Sequence, residues 1–327
     1  MIISRSPLRI SLGGGGTDLP SYYEKHGGFL IAATIKSYVY VAIHKAFMKG
    51  IILKYSKMER VECASDILHP LFRESILAVD KNLNGVEISS FADIPSGTGL
   101  GSSGAFTCCL LNSILEYQNF KLTKKELAEL ACEIEINHLH EPSGKQDQYA
   151  SSFGGINAFT FQKSGEVDIS PLNLSATNQN NIRDSLIMFF TGFARQSSVI
   201  LSEQKIKTEA GNSEMIDNLH RTKEIGYRSF DALLNGDLEL YGRLMHSHWQ
   251  RKKQRSPSMV NSEIENIYNI AMENGAIGGK LVGAGGGGFL LFVSENKMKT
   301  RTALAKLGLS EVNIDFEYCG TETIVTT

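Results

Sequence analysis

The chain has 327 residues, 42% of them hydrophobic and 21% charged, and a formal net charge of −2. That length accommodates two domains with proper cores, and the ordinary balance excludes a disordered or fibrous chain. The small net charge gives no electrostatic reason to expect nucleic acid, and five cysteines without CxxC spacing suggest neither a disulfide framework nor a zinc site.

The N-terminus, Met1-Ile2-Ile3-Ser4-Arg5, lacks the apolar core of a signal peptide, and the apolar stretch 29–46 is broken by Lys36, His44 and Lys45. A soluble cytoplasmic protein without a membrane partner is expected. A short strand over residues 7–12 breaks into Gly13-Gly14-Gly15-Gly16-Thr17-Asp18. Four glycines in a row fit an exposed linker or a loop brought against a ligand; their place between a strand and a polar pair favours the ligand loop. Three β-rich runs, 29–35, 38–44 and 51–55, predict a meander.

Residues 86–91 alternate apolar and polar side chains like a half-buried strand, and 105–118 carry helix-spaced apolar residues. The loop between them contains Pro95, Gly97, Gly99, Leu100, Gly101, Ser102, Ser103 and Gly104. Glycines there let backbone approach an anion, and the helix start offers free N–H groups and the positive end of a dipole. No lysine occurs between Lys81 and Lys121, so this is not a P-loop. Gly99, Gly101 and Gly104 satisfy GxGxxG, but no clear βαβ repeat surrounds them; a tight turn without a ligand also remains open.

Thr123 and Glu126 have capping-box spacing at the start of the clearest helix, and Leu127, Leu130, Ala131 and Ile134 mark its buried face. Glu135 projects from that same face, so its carboxylate needs a partner, either a buried ion pair or a magnesium ion. Asp147 follows Lys145 in a turn bounded by Pro142 and Gly154. An aspartate so placed can accept the proton of an attacking hydroxyl, with Lys145 keeping it ionised or neutralising phosphate; a solvated turn aspartate is the plainer alternative.

The polar stretch 163–184 reads as the connection between units 1–175 and 176–327. Beyond it, the pattern predicts a strand at 185–190, helices over 198–234 with a break near Gly211, then 238–252 and 262–274. A third glycine run, from Gly278 through Gly285 and Gly286 to Phe289, opens a strand at 290–293 and fits a hairpin packed against a ligand or another loop. A helix at 298–307 and a strand at 312–318 complete an α+β pattern.

Three glycine-rich segments in this order, Pro7 to Asp18, Pro95 to Gly104 and Lys280 to Phe289, resemble the GHMP kinases, the superfamily of galactokinase, homoserine kinase, mevalonate kinase and phosphomevalonate kinase. The resemblance implies a ribosomal-protein-S5-like N-terminal domain, a ferredoxin-like C-terminal domain, and ATP with Mg2+ in the cleft between them. Ser103 matches the family's magnesium-binding serine, Glu135 its magnesium-binding glutamate and Asp147 its catalytic aspartate; Arg9 falls where galactokinase-like members carry an arginine near the transferred phosphate.

The segment Gly144-Lys145-Gln146-Asp147 carries one more residue between glycine and aspartate than the mevalonate kinase pattern, and is similar to the sugar-1-kinase branch, the heptose 7-phosphate kinases and fucokinases. That implies phosphorylation of the anomeric hydroxyl of D-glycero-D-manno-heptose 7-phosphate, feeding nucleotide-activated heptose synthesis. Gly15, Gly16, Thr17, Asp18, His248, Trp249, Gly285 and Gly286 are then expected around the sugar, and Arg195, Arg251, Lys252, Lys253 and Arg255 around its phosphate, unless the last four form a solvated basic face. A kinase for an unphosphorylated sugar, a non-catalytic nucleotide-binding protein and a dinucleotide oxidoreductase are the alternatives. Oligomeric state, a homodimer included, stays open.

Overall fold

Strand β1 (Ile2–Gly13) pairs antiparallel with β2 (Gly28–Lys45), and this long ribbon is the spine of the molecule. The structure, a computed structural model, describes residues 1–193 and 197–326. The runs expected as separate strands at 29–35 and 38–44 are one strand. The register jumps between Pro7 and Leu8, leaving Lys36 and Ser37 as a bulge opposite the proline, which has no N–H to give the ladder. Alternation along β1 sends Leu8, Ile10 and Leu12 into the core and leaves Arg9 and Ser11 on the opposite face.

Helix α1 (Pro20–His26) connects β1 to β2, and β3 (Ile51–Lys54) and β4 (Met58–Val61) form a small hairpin. Helix α2 (Pro70–Val79) leads to β5 (Val86–Ala92), which lies between β2 and β3, parallel to β3. From β5 the chain enters the glycine loop and then α3 (Ser102–Tyr117). Helix α4 (Lys124–Cys132) starts with the expected capping box of Thr123 and Glu126 and runs into a π-helical turn, Glu133–His138. Then come α5 (Gln146–Phe153), β6 (Ile156–Phe161) beside β2, and β7 (Val167–Pro171) at the sheet edge. The stretch 163–184, expected as a connection, is therefore mostly structured. Its polarity belongs to an edge strand and to α6 (Ala176–Ser185), a helix with one buried residue, Ile182.

The second unit begins with β8 (Leu186–Phe190), then α7 (Ser197–Glu209), α8 (Ser213–Asn235), α9 (Leu238–Lys253) and α10 (Ser262–Glu273). A hairpin of β9 (Ala276–Leu281) and β10 (Phe289–Ser294) flanks the third glycine run, and α11 (Lys297–Ala305) leads to β11 (Glu311–Val312). These strands form an antiparallel sheet in the order β11-β8-β10-β9. The strand expected at 312–318 is only two residues long, because the chain then leaves this sheet. It bridges to Ile35 through Phe316 and adds β12 (Glu322–Thr326) to the free edge of β1.

The end of the chain thus departs from the contiguous unit 176–327. Arg5 holds Glu322 at 2.7 Å, and the Ser6 and Thr321 hydroxyls meet at 2.7 Å, so an otherwise exposed edge is covered. One apolar cluster joins Leu8, Ile10 and Ile31 of the first sheet to Met188, Leu291 and Tyr241 of the second unit. The cleft between the units is therefore lined by packed elements. Among the described residues no helix is long and apolar enough to cross a membrane.

Candidate active site

A cavity of about 570 Å³ opens where the glycine loop, the Gly15–Asp18 loop and the third glycine run converge. Gly97, Gly99 and Gly101 have φ of 78°, 87° and 75°, the left-handed region that costs residues with a Cβ. A Cβ on Gly99 would lie 2.7 Å from the Val282 carbonyl, and one on Gly288 would collide with that of Thr98. The two glycine runs are thus packed backbone against backbone, and the third glycine run backs the loop that enters α3. No side chain caps α3, so its leading N–H groups are free for an anion.

Gly97, Gly99, Gly101, Ser102 and Ser103 line the cavity. Pro95, Leu100 and Gly104 do not, and they hold the loop's shape instead. The Pro95 carbonyl accepts the Thr98 hydroxyl at 3.0 Å, and the Leu100 carbonyl accepts the Arg9 N–H at 3.0 Å. Gly104 allows α3 to approach α5, since a Cβ there would lie 2.7 Å from that of Asp147.

Glu135 sits in the π-helical turn and is 2% exposed. Its Oε2 accepts the Ser103 hydroxyl at 2.7 Å and its Oε1 accepts Gln148 Nε2 at 3.0 Å. Burial pushes this carboxyl up to about 7, and the Ser103 and Gln148 hydrogen bonds only partly oppose that. Among the described residues no cationic side chain bonds to Glu135, so the structure gives the alternative of a buried ion pair no partner. A carboxylate and a hydroxyl facing a phosphate-sized cradle are the hard-oxygen donors magnesium takes. No group of three His, Cys, Asp or Glu converges among the described residues, so phosphate and water oxygens would complete such a site.

Asp147 lies in the first turn of α5, and its Oδ1 accepts from Arg9 Nε at 2.8 Å and NH2 at 2.6 Å. Arg9 NH1 donates to the Gly99 carbonyl at 2.6 Å. One guanidinium on β1 therefore ties the aspartate to the glycine loop. Beside it, Asp18 Oδ1 accepts from Gly16 N at 3.1 Å and Oδ2 from Gln146 N at 3.3 Å. Burial, and then the neighbouring Asp147, raise the Asp18 carboxyl. Gly144 makes this possible, because a Cβ there would collide with the Asp18 carboxylate.

Several expected residues lie elsewhere. Lys145 points away from the cavity, with Nζ 2.9 Å from Glu129 and 2.8 Å from the Gly165 carbonyl. Its backbone N–H donates to the Asp18 carbonyl at 3.3 Å, but its side chain leaves on the other side, where Glu129 already matches its charge. The Thr17 hydroxyl is fully buried between the Gly14 and Phe29 carbonyls, 2.9 and 2.8 Å away, and shapes the loop. Gly286 N–H donates to the Met259 carbonyl at 3.0 Å; its neighbour Gly285 does line the cavity. Helix geometry splits the rest. His248 and Lys252, four apart on α9, face the cavity, whereas Trp249 and Lys253 form the adjacent stripe. Trp249 packs in the core of the second unit, and Lys253 pairs with Glu265 at 2.7 Å. Arg195 lies outside the described residues.

Other lining residues carried weaker signals. Ser11 follows Arg9 on the same strand face, and Lys280 is a lone lysine between buried strand positions. Gln204 of α7 bonds the Gly16 carbonyl at 2.8 Å. An apolar recess formed by Val39, Tyr55, His69, Phe72, Phe91 and Phe106 also lines the cavity, assembled from five separate segments that no local pattern links.

Residues 61–155 match the model of the GHMP kinases N terminal domain, and residues 229–311 that of GHMP kinases C terminal. The D-glycero-alpha-D-manno-heptose 7-phosphate kinase of Campylobacter jejuni is 31% identical over 302 residues, spanning 89% of this chain and 88% of the relative. The solved D-glycero-D-manno-heptose 1-phosphate kinase from Bacteroides thetaiotaomicron superposes with a TM-score of 0.83 at 26% identity, covering 100% of both chains. Lactococcus lactis galactokinase complexed with galactose shares the fold, with a TM-score of 0.76 at 17% identity over 98% of this chain and 94% of that one.

Proposed function

The chain belongs to the GHMP kinases, which are ATP-dependent, and we propose that it phosphorylates the anomeric O1 of a sugar phosphate, D-glycero-D-manno-heptose 7-phosphate, to give the 1,7-bisphosphate. The observation that carries this reading is the Arg9–Asp147 pair, set between an uncapped helix start on one side and the Asp18 loop on the other. Similarity to the Campylobacter jejuni enzyme supports the choice of acceptor.

ATP places its base in the apolar recess around Tyr55, Phe72 and Phe91 and its phosphates against Gly97 to Ser103. Ser103 and Glu135 would hold magnesium, which when bound neutralises charge on the phosphates. Asp147 orients the sugar's O1 and takes its proton as the oxygen attacks the terminal phosphorus; the bond to the bridging oxygen breaks and ADP leaves. Arg9 keeps positive charge beside the phosphoryl in flight and holds Asp147 within reach of it.

A coupled ADP-release assay over sugars and sugar phosphates tests the reading. Heptose 7-phosphate is expected to exceed the free heptose and L-fucose by about 10³-fold in kcat/KM, because a site built for a polar group strongly rejects the analogue lacking it. Equal use of a free sugar identifies the fucokinase-like alternative. Preference for heptose 1-phosphate would match the name of the solved Bacteroides relative and move the reacting hydroxyl away from O1.

Glu135 predicts a pH dependence. Its folded value, about 7, lies above the ordinary 4.5, so its contribution to the free protein's stability is full below pH 4.5 and lost as pH rises through 7. A metal needs the carboxylate, so the magnesium concentration for half-maximal rate should rise about tenfold per pH unit below that value. A requirement unchanged between pH 8 and pH 5.5 would remove Glu135 as a ligand.

A further inference from the structure

The cavity lining holds more buried basic groups than the transferred phosphoryl requires. Arg9 is matched by Asp147, but Lys252, Arg255 and Lys280 also line the space, and among the described residues none has a carboxylate in hydrogen-bonding contact. Arg255 is held by Asn218, Thr222 and the Gly15 carbonyl, and Lys252 by the Leu281 and Gly283 carbonyls. Lys280 is 2% exposed, yet among the described residues its amine meets just the Ser11 hydroxyl, 3.4 Å away. An ammonium buried with so little compensation is costly unless an anion joins it.

His248 adds an independent sign. It is 2% exposed, lines the cavity, and among the described residues neither ring nitrogen makes a well-formed hydrogen bond, the Gly15 backbone being its nearest weak partner. Burial and the surrounding Lys280, Arg255 and Lys252 hold it neutral, with the nearby Gly15 backbone acting weakly the other way. A neutral imidazole keeps one N–H, and an orphaned donor in a lined cavity marks where a ligand sits.

These groups fall on two sides. Lys252 touches Gly283, which packs against Gly99, so it belongs with the nucleotide phosphates. Lys280 touches Ser11, which abuts Gly15, while Arg255 reaches Gly15 and crowds Gly16. That is the Asp18 side, where the acceptor lies. We propose that Lys280 and His248, backed by Arg255, receive a phosphate already carried by the acceptor, separate from the one transferred. This rests on the sugar kinase reading above and relocates the acceptor's phosphate from the basic run of α9 to a site shared by β9 and α9.

The test uses Lys280→Met and His248→Leu in the full chain, with D-glycero-D-manno-heptose 7-phosphate and the unphosphorylated heptose as acceptors and inorganic phosphate as a binding probe. Lys280→Met should lower the ratio of kcat/KM for phosphorylated over free sugar by about 10²-fold, as loss of one partner of a buried charged contact does. Its melting temperature should stay level or rise, because an uncompensated buried charge has gone, and the upward shift that inorganic phosphate gives the wild type should vanish. His248→Leu should lower the same ratio by about tenfold. An equal loss on both acceptors, no loss on either, or a wild type indifferent to the acceptor's phosphate overturns the proposal while leaving a sugar kinase. If the wild type binds ATP but phosphorylates no sugar, the functional reading falls, and the inorganic phosphate arm still decides whether Lys280 holds an anion.

Discussion

Asp147→Asn should reduce kcat by about 10³-fold, within the range lost when a positioned general base is removed. The asparagine oxygen can still accept from Arg9 Nε and NH2, so the side chain keeps its place in the first turn of α5. What disappears is the group that can take the proton of O1 and the negative charge opposite a guanidinium that is 5% exposed. In the proposed site ATP is held by the glycine loop and the apolar recess, neither of which uses the Asp147 carboxylate, so its affinity should change little. Titration calorimetry with ATP beside steady-state kinetics separates the two effects. Near wild-type turnover would remove Asp147 as the base, and a parallel loss of ATP binding would show that its role is to shape the cavity.

Arg9→Lys should cost about 10²-fold in kcat/KM although charge is conserved, the scale on which a displacement of about 1 Å is felt in a positioned site. The guanidinium makes three directed contacts: two nitrogens to Asp147 and a third to the Gly99 carbonyl. An ammonium offers one point of attachment and cannot reach both. The aspartate and the glycine loop would then lose their shared reference, and both kcat and the KM for ATP should suffer. A variant with only the kcat defect would restrict Arg9 to the acceptor side. Full activity would show that charge alone is needed there.

Much of the site was readable because some residues advertise themselves locally. The loop from β5 into α3 combined glycines, a helix start and hydroxyls within a dozen positions, and the structure finds Gly97, Gly99, Gly101, Ser102 and Ser103 on the cavity. Glu135 was found by helix periodicity, since a carboxylate on the stripe of Leu127, Ala131 and Ile134 has to point inward. The same periodicity, applied to α9, separates His248 and Lys252 from Trp249 and Lys253. A basic run read as one patch hides that division.

Lys145 shows the opposite case. Two positions from Asp147, it looked like that residue's charge partner, but the turn into α5 sends it to Glu129, and Arg9, 138 positions away, takes its place. No local signal could report that exchange.

By itself, then, the sequence determined the α+β class, the three glycine runs and the residue types that can hold phosphate, metal and proton, because helix starts, strand alternation and glycine conformations are properties of a few neighbouring residues. The tertiary structure alone decided which charges face one another. Pairing of β1 with β2, packing of Gly283 and Gly288 against the loop of α3, and the return of β12 to β1 bring together segments that are not neighbours in the chain. Arg9 beside Asp147, Lys280 and His248 with no carboxylate partner among the described residues, and Trp249 in the core all follow from that packing, because a side chain's electrostatic surroundings depend on distance in space and not along the chain.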